Sequence, residues 1–184
     1  DFPNVTLVGV VDADTGLYLP DFRSAERTFQ LLAQVEGRAG RGPKGGRVLI
    51  QTRHPAHHAL VRAREHDTAG FLRQERQLRE DPPYPPATSL ANVLLSGINE
   101  GDVGRRAAEV ADWFTALVKR YDLPISVLGP APCPLVRIKD RWRWHVLLKG
   151  PPVAIGRVVR YAARRLRREP KTRMIIDRDP ISLL

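Results

Sequence analysis

The sequence predicts an α/β chain in two parts, a parallel β-α-β unit followed by a β-α-β-β-α-β unit. Three observations lead there. Residues 5–11 (VTLVGVV) form a continuous apolar run rich in β-branched side chains, as in a strand buried on both faces of a parallel sheet. An amphipathic helix and a second short apolar run, residues 47–51 (RVLIQ), follow it, completing a β-α-β unit with a right-handed crossover. Four prolines in residues 82–86 (PPYPP) then stop any helix and favour an extended path, which places the junction there and the two domains at residues 1–81 and 87–184.

In the first part, Asp12-Ala13-Asp14-Thr15-Gly16 follows the first strand at its C-terminal edge, where open α/β sheets bind ligands. Asp12 and Asp14 there either hold a metal, polarise a contact or cap a loop, and the loop role is expected. Residues 17–23 read as a loop. Ser24 is expected to cap the next helix, with Arg27 near Glu26 and Asp21. Phe29, Leu32 and Ala33 make its apolar stripe, and Gly37 and Gly40 loosen or end it. Pro55 is expected to start a further helix, and residues 68–79 another, with Phe71, Leu72, Glu75 and Leu78 at helical spacing. His54, His57 and His58 are not spaced to converge on a metal, and no acidic or cysteine partner is near them in sequence.

The second part is regular. Residues 90–98 read as a strand. Residues 102–121 read as a helix with Val103, Ala107, Val110, Phe114, Leu117 and Tyr121 on one face. Residues 126–129 start a strand that Pro130, Pro132 and Pro134 interrupt. Residues 142–149 form a strand, 152–168 a helix and 173–177 a last strand, which is the ferredoxin-like split order. Along Arg141-Trp142-Arg143-Trp144-His145, alternation puts the tryptophans on one face and the basic residues on the other. The tryptophans are expected toward the core, because Val146 and Leu148 continue their face. If they faced outward they would offer bases a stacking platform.

With 184 residues, 30 lysines and arginines against 20 acidic residues and a net charge of +10, the chain suits a polyanionic partner, above all nucleic acid. The helix over 152–168 concentrates that charge. Arg157, Arg160, Arg164 and Arg168 lie opposite Ile155, Val158, Val159, Ala162 and Leu166, a stripe able to track a phosphate backbone or simply to stay solvated. The single cysteine, Cys133, excludes an internal disulfide and a CxxC zinc site, and fits a reducing cytoplasm. No apolar run reaches the length of a membrane span. The chain opens at Asp1 without methionine, directly before a strand, and reads as the C-terminal part of something longer.

The pattern Gln34-x-x-Gly37-Arg38-x-Gly40-Arg41, at the end of an amphipathic helix, resembles the last nucleotide-sensing motif of superfamily 2 helicases. Two guanidiniums three residues apart across a glycine suit a polyphosphate. The surrounding residues narrow the resemblance. Asp12-Ala13-Asp14, Pro20-Asp21-Phe22-Arg23-Ser24-Ala25-Glu26-Arg27, Pro82-Pro83-Tyr84-Pro85-Pro86, Leu128-Gly129-Pro130-Ala131-Pro132 and Arg141-Trp142-Arg143-Trp144 together look like the C-terminal quarter of the primosomal replication-restart helicases.

That resemblance implies the end of a second RecA-like helicase lobe, followed by a domain similar in fold to a small-ribosomal-subunit protein. It implies ATP-dependent 3′-to-5′ DNA unwinding at stalled forks and loading of the replicative helicase, with forked and single-stranded DNA, single-stranded-DNA-binding protein and primosome proteins as partners. Arg38 and Arg41 would reach the ATP phosphates, with Gly37 and Gly40 giving them room, and Gln34 would position the nucleotide or the attacking water. Arg141, Arg143, Arg157, Arg160, Arg164 and Arg168 would contact DNA. The chain has no Gly-x-x-x-x-Gly-Lys-Ser/Thr loop and no Asp-Glu-x-His motif, so ATP with Mg2+ would need an upstream lobe. The family's zinc cysteines are absent too, so Zn2+ would not be held here. A cytoplasmic, nucleoid-associated monomer is expected. The competing reading is a stand-alone nucleic-acid-binding module, for DNA or for RNA.

Overall fold

The computed structural model describes residues 5–39, 45–167 and 169–183. The chain is α/β and divides into two compact units, Asp1–Leu78 and Arg79–Leu184.

In the first unit, β1 (Leu7–Val10) and β2 (Arg47–Ile50) pair in parallel, with Leu7 opposite Arg47 and Val10 opposite Ile50. The side-chain period of two sends Val10 and Ile50 toward the core. It sends Leu7, which is 58% exposed, the other way. The expectation of a strand buried on both faces is therefore corrected: in a two-stranded sheet the helices cover one side only.

After β1 the chain turns straight into a short helix, α1 (Ala13–Leu17), where a loop was expected. Next comes α2 (Ser24–Ala39). Its start is held by Asp21 rather than by a Ser24 cap. The buried Asp21 carboxylate accepts the Arg23 N–H at 2.9 Å and pairs with Arg27 at 3.2 Å. A carboxylate there also meets the positive end of the helix dipole. The helix continues through Gly37, which the sequence offered as its end. Phe29 and Leu32 are buried, whereas Ala33 is exposed.

α3 (His58–Arg64) starts later than Pro55, which lies in the turn before it. The His57 ring caps this helix, its Nδ1 accepting the Ala59 N–H at 3.2 Å. In α4 (Thr68–Leu78), Phe71 and Glu75 face inward while Leu72 and Leu78 are exposed. Phe29 and Phe71 stack with ring centroids 4.1 Å apart, locking α2 to α4.

The second unit opens with turns, not an extended segment: Tyr84 N–H donates to Arg79 O and Ala87 N–H to Tyr84 O, each at 2.9 Å. Six elements follow, β3 (Ser89–Gly97), α5 (Glu100–Arg120), β4 (Ser126–Ile138), β5 (Arg141–Gly150), α6 (Pro152–Arg165) and β6 (Thr172–Arg178). The sheet order is β4-β5-β3-β6, antiparallel throughout. Asn99 caps α5 through its side-chain oxygen on the Asp102 N–H, at 3.0 Å. Val103, Ala107, Val110 and Phe114 of α5 and Ile155, Val158 and Ala162 of α6 bury against Ala91, Val93, Leu95, Val146 and Leu148. Leu117 packs only partly, and Tyr121 is exposed.

Two expectations change here. β4 runs unbroken through Pro130, Pro132 and Pro134, because it is an edge strand where a missing N–H costs no ladder bond. It absorbs the irregularity in register shifts between Leu128 and Ala131 and between Pro132 and Arg137. Gly129 serves the first of these with φ of 97°, and a Cβ there would stand 2.9 Å from His145 O. The helix expected to reach residue 168 ends at Arg165, and Leu166 is already extended.

Candidate nucleic-acid interface

The Gln34–Arg41 pattern is only partly placed. Gln34 and Gly37 lie on exposed positions of α2. The backbone of Arg38 belongs to the same helix, but its side chain, like Gly40 and Arg41, lies outside what is described. Among the described residues nothing assembles a nucleotide site around them.

The α6 stripe is formed as the periodicity dictates. Arg157, Arg160 and Arg164 are exposed, and Ile155, Val158 and Ala162 are buried on the other side. No carboxylate among the described residues pairs with these three arginines. Arg168 lies outside the described residues. Arg178 of β6 reaches the start of α6, where its Nη2 donates to Pro152 O at 3.2 Å. The 173–177 strand reading stopped one residue short of this arginine.

Trp142 and Trp144 pack against the core beneath the helices. Arg141, Arg143 and His145 therefore face the open side of the sheet. Arg143 donates to Leu135 O at 3.2 Å. Sequence reasoning passed over Arg173. Its strand position alternates with Met174 and Ile176, which pack on the core, and that alternation was the available signal. Burial, with the Arg143 guanidinium adding to it, holds His145 below the ordinary imidazole range. Its Nδ1 is buried without a partner.

Asp14, in the first turn of α1, ties that helix to the segment after β2, and Asp12 stands just before it. Asp14 accepts from Thr52 Oγ1 at 2.6 Å and from Arg53 N–H at 2.8 Å, which lowers its carboxyl. Asp12 accepts from Thr15 Oγ1 at 2.8 Å. They line a cleft of about 470 Å³ with Tyr18 and His54 at the C-terminal edge of β1 and β2. The histidines hold a correction. His58 does have an acidic partner, because the fold brings Glu75 of α4 to 2.7 Å from its Nε2. Among the described residues no three His, Cys, Asp or Glu side chains converge on a metal position.

Between the end of α5 and the start of α6 lies an apolar groove of about 600 Å³, lined by Leu117, Tyr121, Val153 and Tyr161, with Arg157 its one charged lining residue. No described helix is long and apolar enough to cross a membrane.

A family model for the primosomal protein N C-terminal domain matches residues 80–181, nearly the whole second unit. The chain belongs to the PriA family. Its similarity to PriA proteins also extends into the first unit. The replication restart protein PriA of Bacillus subtilis (strain 168) is 45% identical over 149 residues, covering 81% of this chain and 18% of that protein. The Synechocystis sp. PriA is 42% identical over 151 residues, covering 82% and 18%. The Treponema pallidum PriA is 38% identical over 188 residues, covering 100% of this chain and 28% of its own length. The chain thus spans less than a third of these PriA relatives.

Proposed function

We propose that this chain is the C-terminal part of an ATP-dependent 3′-to-5′ DNA helicase that recognises stalled replication forks and restarts replication by primosome assembly in the bacterial cytoplasm. The observation that carries the reading is one chain holding two things together: the Gln34–Arg41 pattern, whose Gln34 and Gly37 lie on a helix between parallel strands, and a second unit matched by the PriA C-terminal domain.

The parallel β1-α2-β2 arrangement supports the end of a RecA-like lobe in residues 1–81. The sheet order and connectivity of the second unit support a ferredoxin-like domain in residues 87–184, with 82–86 as the junction. Arg38 and Arg41 would face the terminal phosphates of ATP-Mg2+ held by a separate lobe. Phosphoryl transfer spreads negative charge over the terminal oxygens, and fixed guanidiniums there lower the barrier. Gln34 would orient the attacking water or the nucleotide. Zn2+ would be held by other parts of such a protein, since the family's zinc cysteines are absent from this chain.

The second unit would bind forked DNA through the arginines of α6, displacing counterions from phosphates. The apolar groove beside Arg157 fits an acidic peptide with bulky apolar side chains, which supports single-stranded-DNA-binding protein among the partners.

Binding of the 184-residue chain to a forked DNA, followed by fluorescence anisotropy from low to high salt, tests the reading. A steep loss of affinity with salt is expected, and no binding at low salt overturns it. Tighter binding to a structured RNA than to the fork would favour the RNA-binding alternative.

A further inference from the structure

The open face of the second unit's sheet carries two neighbouring rows of unlike chemistry. Ser96 of β3 stands opposite Arg143 of β5 on one side and Arg173 of β6 on the other, so Arg143, Ser96 and Arg173 form one row across three strands. Strands lie about 4.8 Å apart, which starts the two guanidinium arms roughly 10 Å from each other with a hydroxyl between them. Two residues along, His145, Leu94 and Ile175 form the next row on the same face, about 7 Å away.

The first row is cationic, and neither row contains a carboxylate. Asp140, at the hairpin tip nearby, is engaged by Arg137 at 3.0 Å. Asp177 falls in the third row, opposite Asn92. Arg173 is exposed and has no protein partner among the described residues. The second row is uncharged at its two aliphatic positions and carries an imidazole at the third, with Ile175 exposed and Leu94 and His145 half-buried. Within the face, His145 Nδ1 in the second row and Asn92 Oδ1 in the third are buried without hydrogen-bond partners.

The far end of the face is closed. Leu90 is fully buried there, and the Tyr84 ring sits 4.9 Å from Lys149 Nζ. At the other end Arg173 is exposed and Arg143 half-buried.

A cationic row beside an apolar row suits a chain charged along one edge and aromatic along the other. A single strand of nucleic acid has that character. A duplex does not, because its bases are paired and stacked inside. We propose that this sheet face binds single-stranded nucleic acid across β5, β3 and β6, its phosphates on Arg143 and Arg173 and its bases against Leu94, Ile175 and the His145 ring. The site lies on the opposite side of the sheet from α6, whose Ile155 and Val158 pack on the helix-covered face. The proposal rests on the nucleic-acid reading of this unit and adds the surface and the form of the strand.

The test uses the whole chain and two probes of equal length, an oligothymidylate and a blunt duplex. Arg173 and Ile175 are exposed, so both Arg173→Ala and Ile175→Ala are compatible with folding, which a thermal melt checks. Arg173→Ala should weaken the oligothymidylate about five- to tenfold and lower its log–log salt slope by about 0.7. Ile175→Ala should weaken the oligothymidylate and leave the duplex unchanged. Arg160→Ala on α6 should do the reverse. If the chain binds DNA but both sheet variants keep the parent affinity for the oligothymidylate, the sheet site is wrong and the DNA reading stands. If the unaltered chain binds neither probe at low salt, both fall.

Discussion

His58 Nε2 and Glu75 Oε2 stand 2.7 Å apart inside the first unit, in side chains only 12% and 10% exposed. The His58 ring also stacks on Phe71, with centroids 5.6 Å apart, so the polar pair is continuous with the Phe29–Phe71 stack. This directional contact joins α3 to α4 within an apolar layer.

Removing one member of such a pair leaves the other buried without its partner. Glu75→Ala should cost the first unit about 1 to 3 kcal/mol, the cost of leaving a buried polar group without its hydrogen bond. Urea unfolding followed by far-ultraviolet circular dichroism, with hydrogen exchange on α3 and α4, measures it. A cost below about 0.5 kcal/mol would show that the pair contributes little.

In a full-length PriA carrying this segment, Arg38→Ala or Arg41→Ala should cut DNA-stimulated ATP turnover by about 10³-fold while DNA binding survives. Turnover unchanged in both variants removes the phosphate-sensing role.

Replacing Arg157, Arg160 and Arg164 together by alanine should reduce the log–log salt slope for duplex binding by about 2 to 3, since each phosphate contact contributes about 0.9. The three sit on the solvent side of α6, so the melting temperature should barely move. An unaltered slope would mean that the stripe is only a solvated face.

The second unit should lose stability as pH falls below about 6.5. Burial, reinforced by Arg143, lowers the His145 pKa in the folded state below its unfolded value near 6.5. The unfolded chain therefore takes up the proton first, and acidification favours unfolding until pH drops below the folded pKa as well. Trp113, Trp142 and Trp144 all lie in this unit and are the chain's three tryptophans, so their fluorescence reports it alone. His145→Leu should flatten the slope between pH 7 and 5, and an unchanged slope would assign it to other groups.

The sequence by itself determined most of the elements and their order, although it read the short helix α1 as a loop and β4 as interrupted. Periodicity depends only on neighbours along the chain, and the α6 stripe and the Trp142–Trp144 face were legible for that reason. The family resemblance was likewise legible, because Gln34–Arg41 and Arg141–Trp144 are contiguous. Tertiary structure decided what depends on partners distant in sequence. Glu75 reaches His58 across 17 residues through the packing of two helices. Arg173 and Arg143 share a row only because β3 lies between their strands. The prolines of β4 are tolerated because that strand is at the sheet edge, a fact set by strand order. Leu7 is exposed because only one face of its sheet is covered within the unit. In each case the deciding quantity is which surface comes to lie against which, and local spacing does not carry it.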